Sequence, residues 1–273
     1  MSSNHLLRDH APIPTLAWSA IDDEARERLT PLLAARKFVD WDGGEGGWRR
    51  SAVDLGRTTV LDTLPTNITN TDARVRQRRV QPLVEVRVPF TVSRHEIGDI
   101  QRGASDPEFD DLARAARQAA EIENSSVFHG WNDAGIVGLT EVSPYEPLTL
   151  GQDCKQYPGI VARAVNVLRG NGIDGPYTLA LSVEGYTRIV ETTEHGGYPL
   201  FEHLEHILDG KILRVPGVTG AVVVSERGGD FVLDVGEDLS VGYSHHDAEA
   251  VHLYIEESFT FRVLEPDAAI ALT

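Results

Sequence analysis

Two adjacent histidines stand out near the end of the sequence, where GEDLSVGYS is followed by His245, His246 and Asp247. Imidazole nitrogens and carboxylate oxygens are ligands for zinc, and together with Asp230 they could serve a metal-dependent hydrolase. Consecutive side chains of an extended chain point to opposite faces, so two neighbouring histidines rarely ligate one metal. The pattern favours a solvated turn, and the hydrolase stays open as an alternative.

Two further histidine patterns have nearly the spacing of metal sites. Glu249 and His252 are three apart, which would place both on one face of a helix, but the surrounding sequence predicts a strand. The segment 202–206 reads EHLEH, and its histidines are three apart, whereas zinc proteases need two histidines four apart. The sequence therefore predicts no catalytic residues, no metal site and no cofactor.

The charge balance narrows the range of partners. The chain has 273 residues with 25 basic and 42 acidic side chains, a net charge of −17, and a single cysteine, Cys154. An acidic surface repels phosphate backbones, so we expect no nucleic-acid partner. No apolar run approaches the roughly 18–20 residues needed to cross a membrane. The amino terminus has no apolar core typical of a signal peptide, so we expect a cytoplasmic protein without a membrane partner.

The pattern of apolar residues predicts an α+β protein. An amphipathic helix is predicted over residues 15–37, with Pro31 kinking or ending it. A second helix is predicted over 106–129, with Asp106 as its N-cap and Pro107 at its first position. Helices and strands alternate over 157–223, and strands dominate from residue 230 onward.

Residues 51–90 predict a long polar hairpin. Two extended arms flank a polar tip at 65–72, and Arg74, Arg76 and Arg78 alternate, so a strand would place them on one face. A two-stranded hairpin alone is at best marginally stable in water. Either the hairpin is flexible or another chain holds it, and the second reading would be a first sign of obligate assembly.

Sequence blocks spread over nearly the whole chain resemble the encapsulins, the shell proteins of bacterial nanocompartments. The blocks are His10–Asp22, Ala34–Gly43, Pro82–Ile97, Arg102–Gly103, Val127–Gly130, Gly172–Ser182, His195–Leu200, Ser225–Tyr243 and Glu257–Pro266. Two features depart from the family pattern. Pro31 interrupts the first helix, and Gly44 and Gly47 lengthen the loop that follows it.

The resemblance implies a tailed-phage major capsid-like fold with a peripheral lobe, an axial lobe and an extended loop. The peripheral lobe would comprise residues 87–132 and 224–263, together with part of 1–50. The axial lobe would comprise 133–223 and the terminal strand 264–273, and the extended loop would be 51–86. A neighbouring copy would hold the extended loop through strand pairing and through Arg74, Arg76 and Arg78. Copies of the chain would form a closed icosahedral shell of about 60 subunits.

The resemblance also implies a cargo enzyme, a peroxidase or a ferritin-like protein, whose C-terminal targeting peptide docks on the inner wall. Carried over to this sequence, the docking residues are Arg36, Asp40, Asp238, Leu239, Val241 and Tyr243. Leu239, Val241 and Tyr243 alternate onto one face suited to apolar anchors. Arg36 and Asp40 are four apart, so on a helical turn they could pair with each other or bond the polar atoms of the peptide.

The pores of the shell would be lined by the loop Glu194, His195, Gly196, Gly197 and Tyr198. Besides the hydrolase, two hypotheses compete with the shell. A phage or prophage capsid protein would share the fold and would package DNA, and a secreted bacteriostatic protein would need a signal peptide.

Overall fold

Helices and strands are mixed along the chain in the computed structural model, which describes residues 5–66, 72–151, 153–194 and 197–273. The α-helices of these ranges are α1 (Thr15–Leu32), α2 (Arg94–Arg102), α3 (Asp110–His129), α4 (Leu139–Val142), α5 (Tyr157–Gly170), α6 (Val183–Glu191) and α7 (Leu200–Leu208). The strands are β1 (Asp40–Asp42), β2 (Ala52–Leu61), β3 (Val75–Pro82), β4 (Val84–Ser93), β5 (Tyr177–Leu181), β6 (Ile212–Arg214), β7 (Ala221–Ser225), β8 (Phe231–Val235), β9 (Ser240–His246), β10 (Ala250–Val263) and β11 (Ala269–Leu272). The predicted α+β class is confirmed.

The larger sheet is organised around β10. Its 14 residues pair with β4 along one edge and with β8 and β9, one after the other, along the opposite edge, all antiparallel. The backbone of Ser258 bonds Gly236 and Glu237 at the connection between β8 and β9, at 2.7 and 3.0 Å. One long strand therefore aligns two shorter ones end to end, and β1 extends the sheet beside β8 in parallel.

The smaller sheet has the order β11-β7-β5-β6, and every residue of β5, β7 and β11 is buried. Strands covered on both faces carry continuous apolar runs, which explains the sequences AVVVS and AIAL. Helices α5, α6 and α7 lie in the same part of the chain, and Leu168, Ile189 and Leu204 pack from them into this core.

A second core lies under the larger sheet. Val88, Phe90 and Val92 of β4 are buried at every second position, as expected for a strand with one face on the core. They pack with Ile21 of α1 and Leu112 of α3. This packing fixes α1 beside the sheet, with its carboxyl end next to β9.

Both long helices differ at one end from the sequence prediction. Helix α3 begins at Asp110, so the predicted start with Asp106 as N-cap and Pro107 at the first position is wrong. Phe109 is buried in the core, and this burial sets where the helix begins. Helix α1 ends at Leu32, just after Pro31 as predicted, and residues 35–37 form a separate 3₁₀ turn rather than its last turn.

Asn124 of α3 joins the end of α1 to the rest of the molecule. Its Oδ1 accepts hydrogen bonds from the amides of Ala34 and Ala35 at 3.1 and 3.0 Å. Its Nδ2 donates to the carbonyls of Leu32 and Pro216 at 2.9 and 3.2 Å. The side chain is fully buried, so it satisfies four backbone groups in the interior.

Replacing Asn124 by Ala will lower the free energy of unfolding by about 2–4 kcal/mol, because buried amides and carbonyls lose their partners. Guanidinium denaturation followed by tryptophan fluorescence measures this change. The control is Asn171→Ala, since that exposed side chain makes a bond of 2.8 Å to the Val167 carbonyl. Equal losses of stability in the two variants would contradict the role of Asn124 as the partner of four buried backbone groups.

The predicted hairpin is confirmed in β2 and β3, which pair with each other in a two-stranded sheet. We call this hairpin the arm. Most of its side chains are exposed, including Val60 at 63% and Val80 at 52%. Arg76 and Arg78 lie opposite Val60 and Thr58. The strand begins at Val75, so Arg74 lies just before it, and most of the predicted tip falls in residues 67–71, outside the described ranges.

Candidate functional site

A groove of about 370 Å³ runs between α1 and β9. On the helix side the apolar lining is Leu29 and, just beyond the end of α1, Leu33, beside the polar side chains Asp22, Arg26 and Thr30. From the sheet side, Leu239, Val241 and Ile255 face the helix. The period of α1 and the alternation of β9 bring these apolar residues to the same side. The groove therefore offers apolar contacts to an extended ligand.

The amino-terminal segment closes one side of the groove. The Leu6 carbonyl accepts a hydrogen bond of 2.8 Å from the Tyr243 amide. Arg8 binds Asp22 of α1 through two bonds of 3.1 and 2.7 Å, and its guanidinium lies 4.0 Å from the ring centre of Trp18. The segment therefore links the edge of β9 to α1 and contributes Leu6 and Arg8 to the lining.

Arg36 lies at the end of the groove and binds three carboxylates. Its Nη2 donates to Glu123 of α3 and to Glu257 of β10, each at 2.6 Å, and its Nη1 donates to Asp238 at 2.8 Å. Glu123 and Glu257 are buried, whereas the side chain of Asp238 is 56% exposed. Only the Asp238 side of this cluster faces solvent.

The charge cluster shifts the pKa of two of its members. Burial disfavours the charged form of Arg36, but hydrogen bonding and charge from Glu123 outweigh burial and raise the pKa of Arg36. Burial, and then the adjacent Glu123 carboxylate, raise the pKa of Glu257 well above its usual value, against the effect of Arg36. One guanidinium does not neutralise three carboxylates, so Glu257 retains a proton to a higher pH than an exposed glutamate.

The structure brings four of the predicted docking residues together. Arg36, Asp238, Leu239 and Val241 all line the groove. Tyr243 does not line it, and its hydroxyl is instead 2.6 Å from Nδ1 of His246.

The predicted pairing of Arg36 with Asp40 is wrong. Arg36 belongs to a 3₁₀ turn and Asp40 begins β1, so the two are not on one helical turn. The Asp40 carboxylate instead accepts a bond of 2.6 Å from the Gly229 amide, at the turn before β8.

Sequence reasoning missed Glu123, Asn124 and Glu257. Glu123 continues the spacing of Leu112, Ala116 and Ala119 along the buried stripe of α3, which is a position where an apolar residue is expected. A charged residue in such a stripe signals a buried partner. The partner itself could not be found from spacing, because Arg36 is 87 residues from Glu123.

The paired histidines lie in a strand rather than in the predicted turn, because β9 continues to His246. His245 stacks on His252 of β10 with ring centres 4.1 Å apart, and His252 is 3.0 Å from the Asp247 carboxylate. Asp230 binds Arg227 at 2.8 Å. Across the described ranges, no group of three histidine, cysteine, aspartate or glutamate side chains is placed to hold a metal ion.

The predicted pore loop joins α6 to α7. The Glu194 amide donates to the Tyr198 carbonyl at 2.8 Å, and the Gly197 amide donates to the Glu194 carbonyl at 3.0 Å. The Glu194 carboxylate is 2.9 Å from Nδ1 of His203, and Tyr198 is 48% exposed. His195 and Gly196 lie outside the described residues.

Among the described helices, none combines the length and the apolar character needed to span a bilayer.

Solved structures define the class of fold as that of virus-like particles and tailed-phage capsids. A virus-like particle from Pyrococcus furiosus aligns with a TM-score of 0.64 at 16% identity, over 94% of this chain and 99% of that one. A structure of Mycobacterium phage Bobi aligns with a TM-score of 0.56 at 16% identity, over 88% and 89% of the two chains. The predicted capsid-like fold is confirmed.

The chain belongs to the encapsulin shell protein family. The family described as "Encapsulating protein for peroxidase" matches residues 3–260. A type 1 encapsulin shell protein of Rhodospirillum rubrum is 48% identical over 98% of this chain and 96% of its own length. Another, from Mycobacterium tuberculosis, is 39% identical over 99% of both. These relatives are named as shell proteins and not as enzymes, so the hydrolase alternative is not supported.

Proposed function

We propose that this chain assembles into a closed icosahedral shell of about 60 copies that encloses a cargo protein in the cytoplasm. The observation that carries the proposal is the arm, whose apolar and arginine side chains are exposed although the chain belongs to a shell protein family. Contacts with a neighbouring copy would bury these side chains and complete the edges of the two-stranded sheet.

The proposed shell is built from two lobes and the arm. The peripheral lobe comprises part of residues 1–50 with 87–132 and 224–263, and the axial lobe comprises 133–223 with 264–273. One observation supports this division: the two sheets share no strand. The core of the smaller sheet continues to β8 and β10 of the larger one, through Phe231, Leu233 and Phe259, so the two proposed lobes pack against each other. The extended loop, residues 51–86, contains the arm and leaves the peripheral lobe. The loop Glu194–Tyr198 of the axial lobe lines a pore for small solutes.

The groove between α1 and β9 is the proposed dock for the C-terminal targeting peptide of the cargo. An extended peptide places alternate side chains on one side, which suits the facing apolar walls. Each buried leucine-sized anchor contributes roughly 1.5–3 kcal/mol. The family description supports a peroxidase as the cargo, and a ferritin-like protein is the second candidate.

Replacing Leu239 by Asp will reduce cargo loading by at least about tenfold while shells still form. The variant loses one apolar anchor and puts a charge in the docking surface, and about 1.4 kcal/mol corresponds to a tenfold change in affinity. The measurement is the mass ratio of cargo to shell protein in purified particles, with the protein that co-purifies with the wild-type shell as the cargo.

The matched control is Leu16→Asp, since Leu16 is 57% exposed on α1 and does not line the groove. Normal loading of the Leu239 variant would reject the groove as the dock. Absence of closed particles from the wild-type chain would instead reject the shell. The phage-capsid alternative is supported at the level of fold alone, and it predicts particles with strong absorbance at 260 nm from packaged DNA.

A further inference from the structure

Both ends of the arm are attached to one pair of strands, β8 and β10. Arg50, just before β2, donates to the Asp234 carboxylate at 2.9 Å and to the Val235 carbonyl at 3.0 Å. Gln81, near the end of β3, donates to the Thr260 hydroxyl at 3.1 Å and to the Phe261 carbonyl at 2.8 Å. The two attachments lie on neighbouring strands, so together they hold the base of the arm at two points.

The attachment at Arg50 is a buried ion cluster. Asp234 is fully buried, and it also binds Arg262 through two bonds, one of them 3.0 Å. The side chains of Arg50 and Arg262 are 12% and 19% exposed. Charge pairs with little access to water resist rearrangement, because separating them leaves an uncompensated buried charge.

The glycine loop before the arm makes room for Arg50. Gly44 has a φ of +41°, and a Cβ built there would lie 2.2 Å from a guanidinium nitrogen of Arg50. The loop before the arm is therefore fitted to this attachment. We name the four residues Arg50, Asp234, Arg262 and Gln81 the arm clamp.

We propose that the arm clamp sets the angle at which the arm leaves the body and thereby the number of copies in the closed shell. The inference rests on the proposed assembly into a shell. A ten-residue strand is about 33 Å long, so a tilt of about 10° at its base moves its end by about 6 Å. In a closed assembly of identical subunits, the angle between neighbours determines how many copies close the surface.

The test compares the masses and diameters of particles formed by wild-type protein, Arg50→Gln and Gln81→Leu. We expect one particle class for the wild type. We expect a shifted or additional class for each variant, by native mass spectrometry and negative-stain electron microscopy. Arg50→Lys keeps the positive charge beside Asp234 and is expected to restore the wild-type class. A merely structural role in stability would leave the particle class of folded variants unchanged.

The control is Arg227→Gln, which removes the positive partner of the Asp230 carboxylate. Asp230 lies just before the first residue of β8, at the end away from Asp234. This control is expected to keep the wild-type particle class. Unchanged particle mass in both clamp variants would overturn the inference, and so would loss of folded protein in both, shown by circular dichroism. Absence of particles from the wild type would reject the proposed shell. Failure of the shell proposal can therefore be distinguished from failure of the arm-clamp proposal.

Discussion

Replacing Arg36 by Met will lower the free energy of unfolding by about 3–5 kcal/mol, the usual cost of breaking a buried ion pair on one side. Methionine fills similar space but leaves Glu123 and Glu257 without a cation, and both are fully or nearly fully buried. Guanidinium denaturation of the variant and the wild type, followed by tryptophan fluorescence, measures the difference.

The loss caused by Arg36→Met will be larger at pH 8 than at pH 5.5. Without the guanidinium, Glu257 keeps its proton to still higher pH in the folded protein, while the unfolded chain releases it near the usual value. The folded state then binds more protons than the unfolded state, so stability falls as pH rises above that value. The raised pKa of Glu257 in the wild type gives the same sign over a narrower range of pH.

Arg26→Met is the matched control, because Arg26 pairs with Asp23 on the surface, where both side chains are about two-thirds exposed. Exposed ion pairs contribute little, so the control should have nearly wild-type stability at both pH values. A loss for Arg36→Met that does not change with pH would show that the carboxylates beneath the groove are not the cause.

Reversing two charges on the arm, Arg76→Glu together with Arg78→Glu, will abolish closed particles and leave folded subunits or small oligomers. Each reversal changes the charge by −2, so the net charge goes from −17 to −21. The neighbouring copy is acidic as a whole, and like charges at a contact oppose association. Size-exclusion chromatography and negative-stain microscopy measure the outcome, and circular dichroism checks folding.

The control for the arm variant changes the net charge equally at another place. Arg117→Glu with Arg163→Glu also gives −21, and both arginines lie on exposed helix faces. We expect this control to assemble. If the arm variant still forms closed particles, the two arginines are not part of the contact between copies. If neither variant forms particles, the change in net charge is the cause.

Local patterns in the sequence were sufficient for most elements and for the arm. The strand pattern of residues 51–90 predicts β2 and β3, and proline at position 31 predicts the end of α1 within one residue. The start of α3 could not be predicted in this way. A local signal, Asp106 followed by Pro107, competes there with the burial of Phe109, and the burial depends on residues far away in sequence.

The groove was only partly accessible from sequence. Arg36, Asp238, Leu239 and Val241 follow from the resemblance to the encapsulins. Alternation adds only that Leu239, Val241 and Tyr243 would share a face, and Tyr243 does not line the groove. The partners that hold Arg36 are 87 and 221 residues away, and no periodicity within one element relates such positions. The same holds for the arm clamp, where Arg50 meets Asp234 across 184 residues.

Strand β10 is long enough to pair with both β9 and β8, so one strand supports the proposed dock and the base of the arm. Its first half supports β9, which forms a wall of the proposed dock, and its second half supports β8, which anchors the arm. Cargo bound against β9 and a neighbouring copy bound to the arm would therefore both contact elements that pair with β10, one at each end of that strand. In the proposed shell, cargo binding and assembly are therefore expected to be coupled through β10, and a substitution near Ser258, where its two halves meet, is expected to disturb both.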